Sequence, residues 1–236
     1  PRLDSETMII IGVEALVRWT DPEEGQIAPS EFIPLAEECG LIGMIDEWVL
    51  KSACSEVLKW YEAGAPRITL AVNVSPAQFI RKDLHGVMQK ILEQTKFPGS
   101  QLELEVTESL FGPDSINSLS ILKQLGELGI EMSVDDFGTA YSSLSRLKHL
   151  PLHTLKIDQS FVRDLGKDAD DETIVRTIIT LAHNLNLKVV AEGVETQTQY
   201  SVVKRHGCDA VQGFLFSKPV PGNEMLELLN PSKKQN

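Results

Sequence analysis

The chain has 236 residues, of which 42% are hydrophobic and 24% are charged, a composition typical of a folded globular protein. Its formal net charge of −12 argues against a protein that grips a long nucleic acid, because such proteins need a basic surface. No apolar run approaches the roughly 18 residues of a membrane-spanning helix, so we expect a cytoplasmic protein.

Apolar stretches typical of strands alternate with amphipathic stretches typical of helices along the whole chain. The strand candidates, in chain order, are IIIGVEAL (9–16), ITLAVNVS (68–75), LELEVTES (102–109), IEMSVDD (130–136), TLKIDQS (154–160), LKVVAEGV (187–194) and AVQGFLF (210–216). The clearest helical patterns between them cover residues 44–64, 115–129 and 170–186. This alternation predicts an α/β protein with a parallel sheet and crossover helices.

Seven candidate strands are one fewer than a TIM-type (β/α)8 barrel requires. We predict such a barrel and place its missing first strand before Pro1, outside this chain. An open doubly wound sheet is the alternative on the strand count alone. We find no linker or repeat, and we therefore expect one domain over residues 1–230 with a C-terminal tail at 231–236.

Each candidate strand has an apolar face and an opposite face that ends in a polar residue near the strand's carboxyl end. These polar residues are Glu14, Asn73, Glu105, Asp135, Lys156, Glu192 and Gln212. Since active sites of barrels lie at the carboxyl ends of the strands, the pattern predicts a ring of functional groups at that mouth. A structural ring of salt bridges is the alternative.

The charges of this ring favour a metal site over a salt-bridge ring. Lys156 is the only clear cation in the set, and its carboxylates would repel one another unless they were protonated or bound to metal. Oxygen ligands without histidine select Mg²⁺ or Mn²⁺. The His149–His153 pair has zinc-ligand spacing, but Pro151 lies between the two and breaks the helix that such a pair needs.

Asp135 and Asp136 are adjacent, and neighbouring side chains on a strand point to opposite faces. We therefore expect the strand to end after Asp135, so that the following loop can return Asp136 to the same site. Two adjacent acids could then serve two metal ions.

Seven motifs in this order resemble the EAL-domain family. They are EALVRW (14–19), NVSPAQF (73–79), ELEVTES (103–109), DDFGTAYSSL (135–144), LKIDQSFV (155–162), VAEGVET (190–196) and QGFLFSKPVP (212–221). The resemblance covers nearly the whole chain. It implies a phosphodiesterase that opens cyclic di-GMP to linear pGpG with two divalent metal ions, Mg²⁺ or Mn²⁺, in a barrel.

The resemblance also implies a ligand set for the metal ions. Glu14, Asn73, Glu105 and Asp135 resemble the ligands of one ion. Asp135 resembles a bridge to a second ion, which Asp136 also helps to hold.

Three further residues resemble groups that act beside the metals. Lys156 resembles the residue that orients the attacking water near the scissile phosphate. Glu192 resembles a site carboxylate that acts as base or as support of the metal site. Gln212 resembles a residue beside the water and the metals.

Other matches concern the rim of the site. Arg18 resembles an arginine that contacts a phosphate, and Glu195 resembles a loop-supporting or substrate-side acid. Glu108 resembles the anchor of the loop after DDFG. Ala140 departs from the family, which more often has glycine there, and we expect this methyl group to matter if the turn needs a positive φ.

The resemblance leaves alternatives open. A degenerate EAL domain would bind cyclic di-GMP as a receptor without cleaving it, but such domains lose metal ligands, and here every position is filled. An unrelated Mg²⁺-dependent barrel of the enolase type would not explain the DDFGTAYSS and EGVET motifs. The resemblance further implies a homodimer and an upstream sensory or GGDEF-type domain, so that the chain could also be the cytoplasmic part of a membrane-anchored sensor.

Overall fold

The computed structural model describes residues 1–79, 83–111, 118–138, 147–167 and 169–230. Ala140 and the expected tail at 231–236 lie outside these ranges.

Eight strands form a closed barrel. In the order in which they pair, they are β1 (Arg2–Asp4), β10 (Ala210–Val211), β9 (Lys188–Ala191), β8 (Thr154–Ile157), β7 (Glu131–Phe137), β6 (Leu102–Thr107), β5 (Thr69–Asn73) and β2 (Ile10–Ala15). The seven strand candidates all occur in this barrel, and every pair from β2 round to β10 is parallel. The predicted TIM-type architecture is confirmed.

The prediction that the first strand is missing from the chain is wrong. Strand β1 lies at the very start of the chain and closes the barrel, with Leu3 paired to Val211 of β10 and to Ile10 of β2. Both of its pairings are antiparallel, unlike those of the other barrel strands. The strand escaped the sequence criteria because it has three residues, two of them charged, and therefore lacks an apolar run.

Helices between the strands form the outer layer. They are α1 (Pro29–Glu38), α2 (Ile42–Glu62), α3 (Pro76–Phe79), α4 (Leu84–Thr95), α5 (Ser118–Glu127), α6 (Gln159–Arg163), α7 (Ala169–Asn184), α8 (Gln197–Arg205) and α9 (Gly222–Leu229). The three helical patterns read from the sequence correspond to α2, α5 and α7. Short 3-10 turns cover Gly99–Gln101 and Glu108–Phe111.

Helix α2 illustrates how residue spacing builds this layer. Leu50, Cys54 and Val57 recur at helical spacing and are buried against the barrel. The helix ends at Glu62, and Gly64 follows with a φ of 91°, the left-handed conformation that commonly terminates helices. None of the helices within the described ranges is long and apolar enough to cross a bilayer.

A small two-stranded sheet lies apart from the barrel. Strand β3 (Trp19–Asp21) pairs antiparallel with β4 (Gly25–Ile27) directly after β2. It follows the EALVRW segment and precedes α1, so it belongs to the loops at the carboxyl end of β2.

The two faces of the barrel strands differ as the two-residue period predicts. On β6, Leu102, Leu104 and Val106 are buried in the apolar core between strands and helices. Glu103 and Glu105 alternate with them and point to the interior of the barrel, where both are also buried. The core therefore surrounds a polar interior, and the fold has to supply partners for these carboxylates.

Candidate active site

Lys156 lies at the centre of the predicted ring. It is the third residue of β8, and strand alternation turns it into the barrel, where it is 1% exposed. Its Nζ lies 2.6 Å from Oε2 of Glu105, 3.1 Å from Oδ1 of Asp135 and 2.7 Å from Oε1 of Glu192. One ammonium group therefore joins carboxylates from three other strand ends.

Burial and these ion pairs shift the pKa values of Lys156 and Glu192. Burial alone would lower the pKa of Lys156, but the surrounding carboxylates outweigh it and raise that pKa well above its ordinary range. The side chain is thus a fixed positive charge. Burial raises the pKa of Glu192 to about 7, and Asp135 and Glu14 add to the shift while Lys156 opposes it.

A second group of predicted residues meets around Glu14. Asn73 donates a hydrogen bond to Oε1 of Glu14 at 2.8 Å, and Gln212 donates to Oε2 at 2.5 Å. Burial would raise the pKa of Glu14, but Lys156 and these two hydrogen bonds lower it overall, so the carboxylate stays ionised. The amide oxygen of Gln212 is buried without a hydrogen-bond partner among the described residues. It is available to a water or a cation.

Asp135 and Asp136 reach the same site by a different route from the one predicted. Strand β7 does not end after Asp135 but continues to Phe137, with a shift of register against β8 between Val134 and Phe137. Asp136 has a φ of 54°, a left-handed conformation that bends the strand at this irregularity. The bulge, rather than a loop, brings the second carboxylate to the face of the first.

The donors at this bulge fit a divalent cation. One oxygen each from Asp135, Asp136 and Glu192 lie within 4.8 Å of one another. Burial raises the pKa of Asp136 to about 6, and the charges of Asp135 and Asp158 contribute. Repulsion between neighbouring carboxylates disfavours their ionised forms, and a bound cation offsets that repulsion. Oxygen donors suit Mg²⁺ or Mn²⁺.

Glu108 contacts the backbone at Gly138, just before the segment that it is predicted to anchor. It is buried directly after β6, and its Oε2 accepts a hydrogen bond of 3.0 Å from the backbone N–H of Gly138. Gly138 has a φ of 99°, and a Cβ there would lie 2.9 Å from the ring of Phe161, so only glycine fits. The anchored segment leads to residues 139–146, which include Ala140 and lie outside the described ranges.

Arg18 and Glu195 lie at the rim rather than in the cluster. Both line a cleft of about 910 Å³ that also includes Glu14, Glu192 and Gln212. Arg18 is exposed, and its guanidinium donates to the carbonyl of Val17 at 2.8 Å. The cleft places both rim residues where an extended ligand would pass.

Two residues outside the predicted set of site residues are part of this neighbourhood. Arg2 binds Glu105 from below, with 2.9 Å between its Nη2 and Oε1 of the carboxylate. Asp158 caps α6 by accepting from the N–H of Ser160 and also hydrogen-bonds with Asp136. Asp158 directly follows β8 and continues the alternation that turns Lys156 inward, which was a usable signal, whereas Arg2 lay in a strand that the sequence criteria did not detect.

The histidine pair does not form a metal site. Nδ1 of His153 accepts a hydrogen bond of 3.2 Å from the backbone N–H of Met132, and His149 is exposed. His153 therefore supports the entry into β8 as a structural residue.

A model of the EAL domain family matches residues 1–219. The chain is 47% identical over 217 residues to the bifunctional diguanylate cyclase/cyclic di-GMP phosphodiesterase MucR of Pseudomonas aeruginosa, covering 92% of this chain and 32% of that protein. It is 40% identical over 209 residues to the cyclic di-GMP phosphodiesterase PdeR of Escherichia coli, covering 89% of this chain and 32% of that protein. The solved structure of the PaMucR phosphodiesterase in complex with c-di-GMP matches with a TM-score of 0.92 and 45% identity, covering 95% of this chain and 91% of that one. The chain thus spans about a third of the length of these two relatives.

Proposed function

The chain belongs to the EAL domain family, and we propose that it hydrolyses cyclic di-GMP to linear pGpG with the help of two divalent metal ions, Mg²⁺ or Mn²⁺. The observation that carries the proposal is the convergence of Asp135, Asp136 and Glu192 beside the buried Lys156. A receptor that only binds the dinucleotide would not need this crowding of carboxylates, which works against the stability of the site.

The charges explain how an acidic protein could accept an anionic substrate. The mouth holds Glu14, Glu105, Asp135, Asp136 and Glu192. These acids would repel a phosphodiester unless cations were bound between them. Bound divalent ions would neutralise the phosphodiester and lower the pKa of the attacking water.

The proposed ligand roles are those that the resemblance to the EAL family implies. Glu14, Asn73, Glu105 and Asp135 would hold one ion, and Asp135 and Asp136 the other. The Asn73–Glu14 hydrogen bond of 2.8 Å fixes two of these donors relative to each other. Such bonds position ligands before the metal arrives, which favours a defined geometry.

Lys156 and Glu192 would act on the attacking water in different ways. Lys156 stays charged, so it would orient water and phosphate without acting as a base. Glu192, whose carboxylate lies 2.7 Å from Nζ of Lys156, would act as the base that takes up the proton of the attacking water. Gln212 would present to the same water its amide oxygen, which accepts no hydrogen bond from the described residues.

Substrate contacts would come from the rim. Arg18 would bind a phosphate of the dinucleotide, and Glu195 would face the substrate in the same cleft. Glu108 would keep the loop after Gly138 in place through its hydrogen bond to the backbone.

The direct test is to strip the chain of metal, add cyclic di-GMP with either Mg²⁺ or Mn²⁺, and separate the nucleotides by chromatography. We expect pGpG with one or both metals, none with chelator, and none from the Asp135→Asn variant. Saturable binding of cyclic di-GMP without pGpG formation in the presence of either metal would support the receptor function and contradict the proposed hydrolysis.

Further proposals concern the organisation of the full-length protein. We propose that residues 1–230 act as one cytoplasmic domain, that it forms a homodimer, and that an upstream sensory or GGDEF-type domain belongs to the full-length protein. The bifunctional name of MucR, and the third of its length that this chain matches, support the last point. Sedimentation of the chain at several concentrations would test the homodimer.

A further inference from the structure

Arg2 lies deep in the barrel below the proposed metal site. It is 4% exposed and comes from β1, the short strand that closes the barrel. Its Nη1 lies 2.8 Å from Oε1 of Glu103, and its Nη2 lies 2.9 Å from Oε1 of Glu105. One rigid guanidinium therefore binds two carboxylates that lie two residues apart on β6.

The backbone of β1 aims the side chain inward. The pairing of β1 with β2 shifts register between Arg2 and Leu3, and Leu3 turns outward into the apolar core. Strand alternation then directs Arg2 to the interior, where the polar residues of β6 lie.

Both oxygens of Glu105 are held by cations from different strands. Oε1 accepts from Arg2 on β1, and Oε2 accepts from Lys156 on β8 at 2.6 Å. Two opposed charge-assisted hydrogen bonds fix the plane of a carboxylate more firmly than one does. Glu105 is fully buried, so no solvent competes for either oxygen.

Arg2 is itself braced from the other side. Glu103 accepts from Arg2 with one oxygen and from the hydroxyl of Thr154 with the other, at 3.0 Å. The chain of contacts thus runs from β8 through Glu103 and Arg2 to Glu105. Such rigid outer contacts tune how well a metal ligand is oriented.

We infer that Arg2 is a positioning residue for the reaction, which holds Glu105 from below so that its second oxygen faces the metals and Lys156. This inference rests on the proposed function, because it concerns the geometry of a proposed ligand. A purely structural role is the competing explanation. A buried ion pair adds little stability over a well-packed apolar pair, so an apolar replacement should keep the fold and lose only the positioning.

The Arg2→Met/Glu103→Met double variant separates the two explanations. It removes one positive and one negative charge together, and Glu105, which also loses Arg2, keeps its ion pair with Lys156. We expect it to melt within about 5 °C of the parent chain, since the removed pair adds little net stability. Its Kd for Mn²⁺ without substrate, measured by titration calorimetry, should rise about tenfold, and kcat should fall about tenfold with KM nearly unchanged.

The Arg2→Lys variant covers the case in which the double variant does not fold. Lysine keeps the charge but lacks the planar fork that spans two carboxylates, so Mn²⁺ affinity should fall by about threefold or more. Arg67→Met is the matched control, because Arg67 is exposed over the ring of Tyr61 and precedes the amino end of β5, whereas the proposed site lies at the carboxyl ends of the strands; it should bind Mn²⁺ like the parent.

Normal Mn²⁺ affinity in the folded double variant, or in Arg2→Lys if the double variant is unfolded, would overturn the positioning role. Failure of the parent chain to produce pGpG would count against the proposed function instead. The Mn²⁺ comparison would then still decide whether Arg2 orders Glu105, because it does not depend on turnover.

Discussion

Glu103 and Glu105 lie two residues apart on β6 and point into the same barrel, yet their surroundings differ. Glu103 belongs to a lower layer with Arg2 and Thr154, where each of its oxygens has a hydrogen-bond donor. Glu105 belongs to the mouth, where it shares Lys156 with two further carboxylates. The lower layer is close to charge balance, whereas the mouth holds an excess of negative charge.

The difference indicates what each layer does. A balanced, buried cluster can close the barrel and hold β1 in place. In the mouth, burial and repulsion between carboxylates make the ionised forms unfavourable and so reduce stability. The pKa is accordingly raised to about 7 for Glu192 and to about 6 for Asp136. Sites that retain such repulsion are commonly functional, because a ligand or metal supplies the missing charge.

The largest expected effect lies in the mouth. Glu14→Ala or Asp135→Ala should lower kcat by at least about a thousandfold, because each removes a proposed metal ligand. Both variants should still fold and melt cooperatively, which separates the loss of turnover from a loss of the fold. Asp164→Ala, which removes an exposed carboxylate, is the control and should turn over normally. Near-normal hydrolysis by either mouth variant would refute the metal-site assignment.

A smaller effect is expected when the shared cation is removed. Lys156→Met should lower kcat about a hundredfold while KM changes by less than about threefold, because the charge acts on the reacting water and phosphate. Steady-state kinetics at saturating metal measure both. Lys59→Met, on an exposed surface pair, is the control. A rise of KM with unchanged kcat would show that Lys156 serves binding alone.

The smallest effect concerns stability and its dependence on pH. The pKa of Asp136 is about 6 in the fold against an ordinary 3.8, so the folded chain keeps a proton that the unfolded chain loses. Its contribution to the free energy of unfolding therefore falls as pH rises from about 4 to 6.

Asp136→Asn removes this dependence. Between pH 4 and pH 7.5, the metal-free variant should gain about 1 kcal/mol relative to the parent, a figure reduced because solvent screens this partly exposed carboxylate. Asparagine also suits the left-handed φ of 54°, but that benefit is the same at every pH. Denaturant unfolding at both pH values measures the difference, and a pH-independent offset alone would contradict the assigned shift.

The sequence predicted the parts of the fold that rest on regular patterns. Apolar stretches of period two located seven strands, and the polar residue near each strand end located the mouth. Strand β1 was missed because three residues with two charges carry no such pattern. Arg2 lies in this strand and was missed with it. Its partners on β6 are about a hundred residues away in the chain, and only the closed barrel brings them together.

The bulge at Asp135 and Asp136 was also beyond the sequence. Alternation correctly marked the second aspartate as out of place, and a loop was the simplest remedy. Instead, Asp136 has a positive φ inside the strand. A non-glycine residue rarely adopts this conformation, and no local sequence pattern predicts it.

The most direct test of the division between the two layers is to measure pGpG formation and the melting temperature of Glu103→Gln and Glu105→Gln side by side. Glu105→Gln should lose at least about a hundredfold in kcat, as expected for a weakened ligand, and melt within a few degrees of the parent. Glu103→Gln, whose amide oxygen can still accept from Arg2, should keep turnover within about fivefold and melt several degrees lower. The reverse assignment, or equal loss of turnover in both variants, would contradict the account.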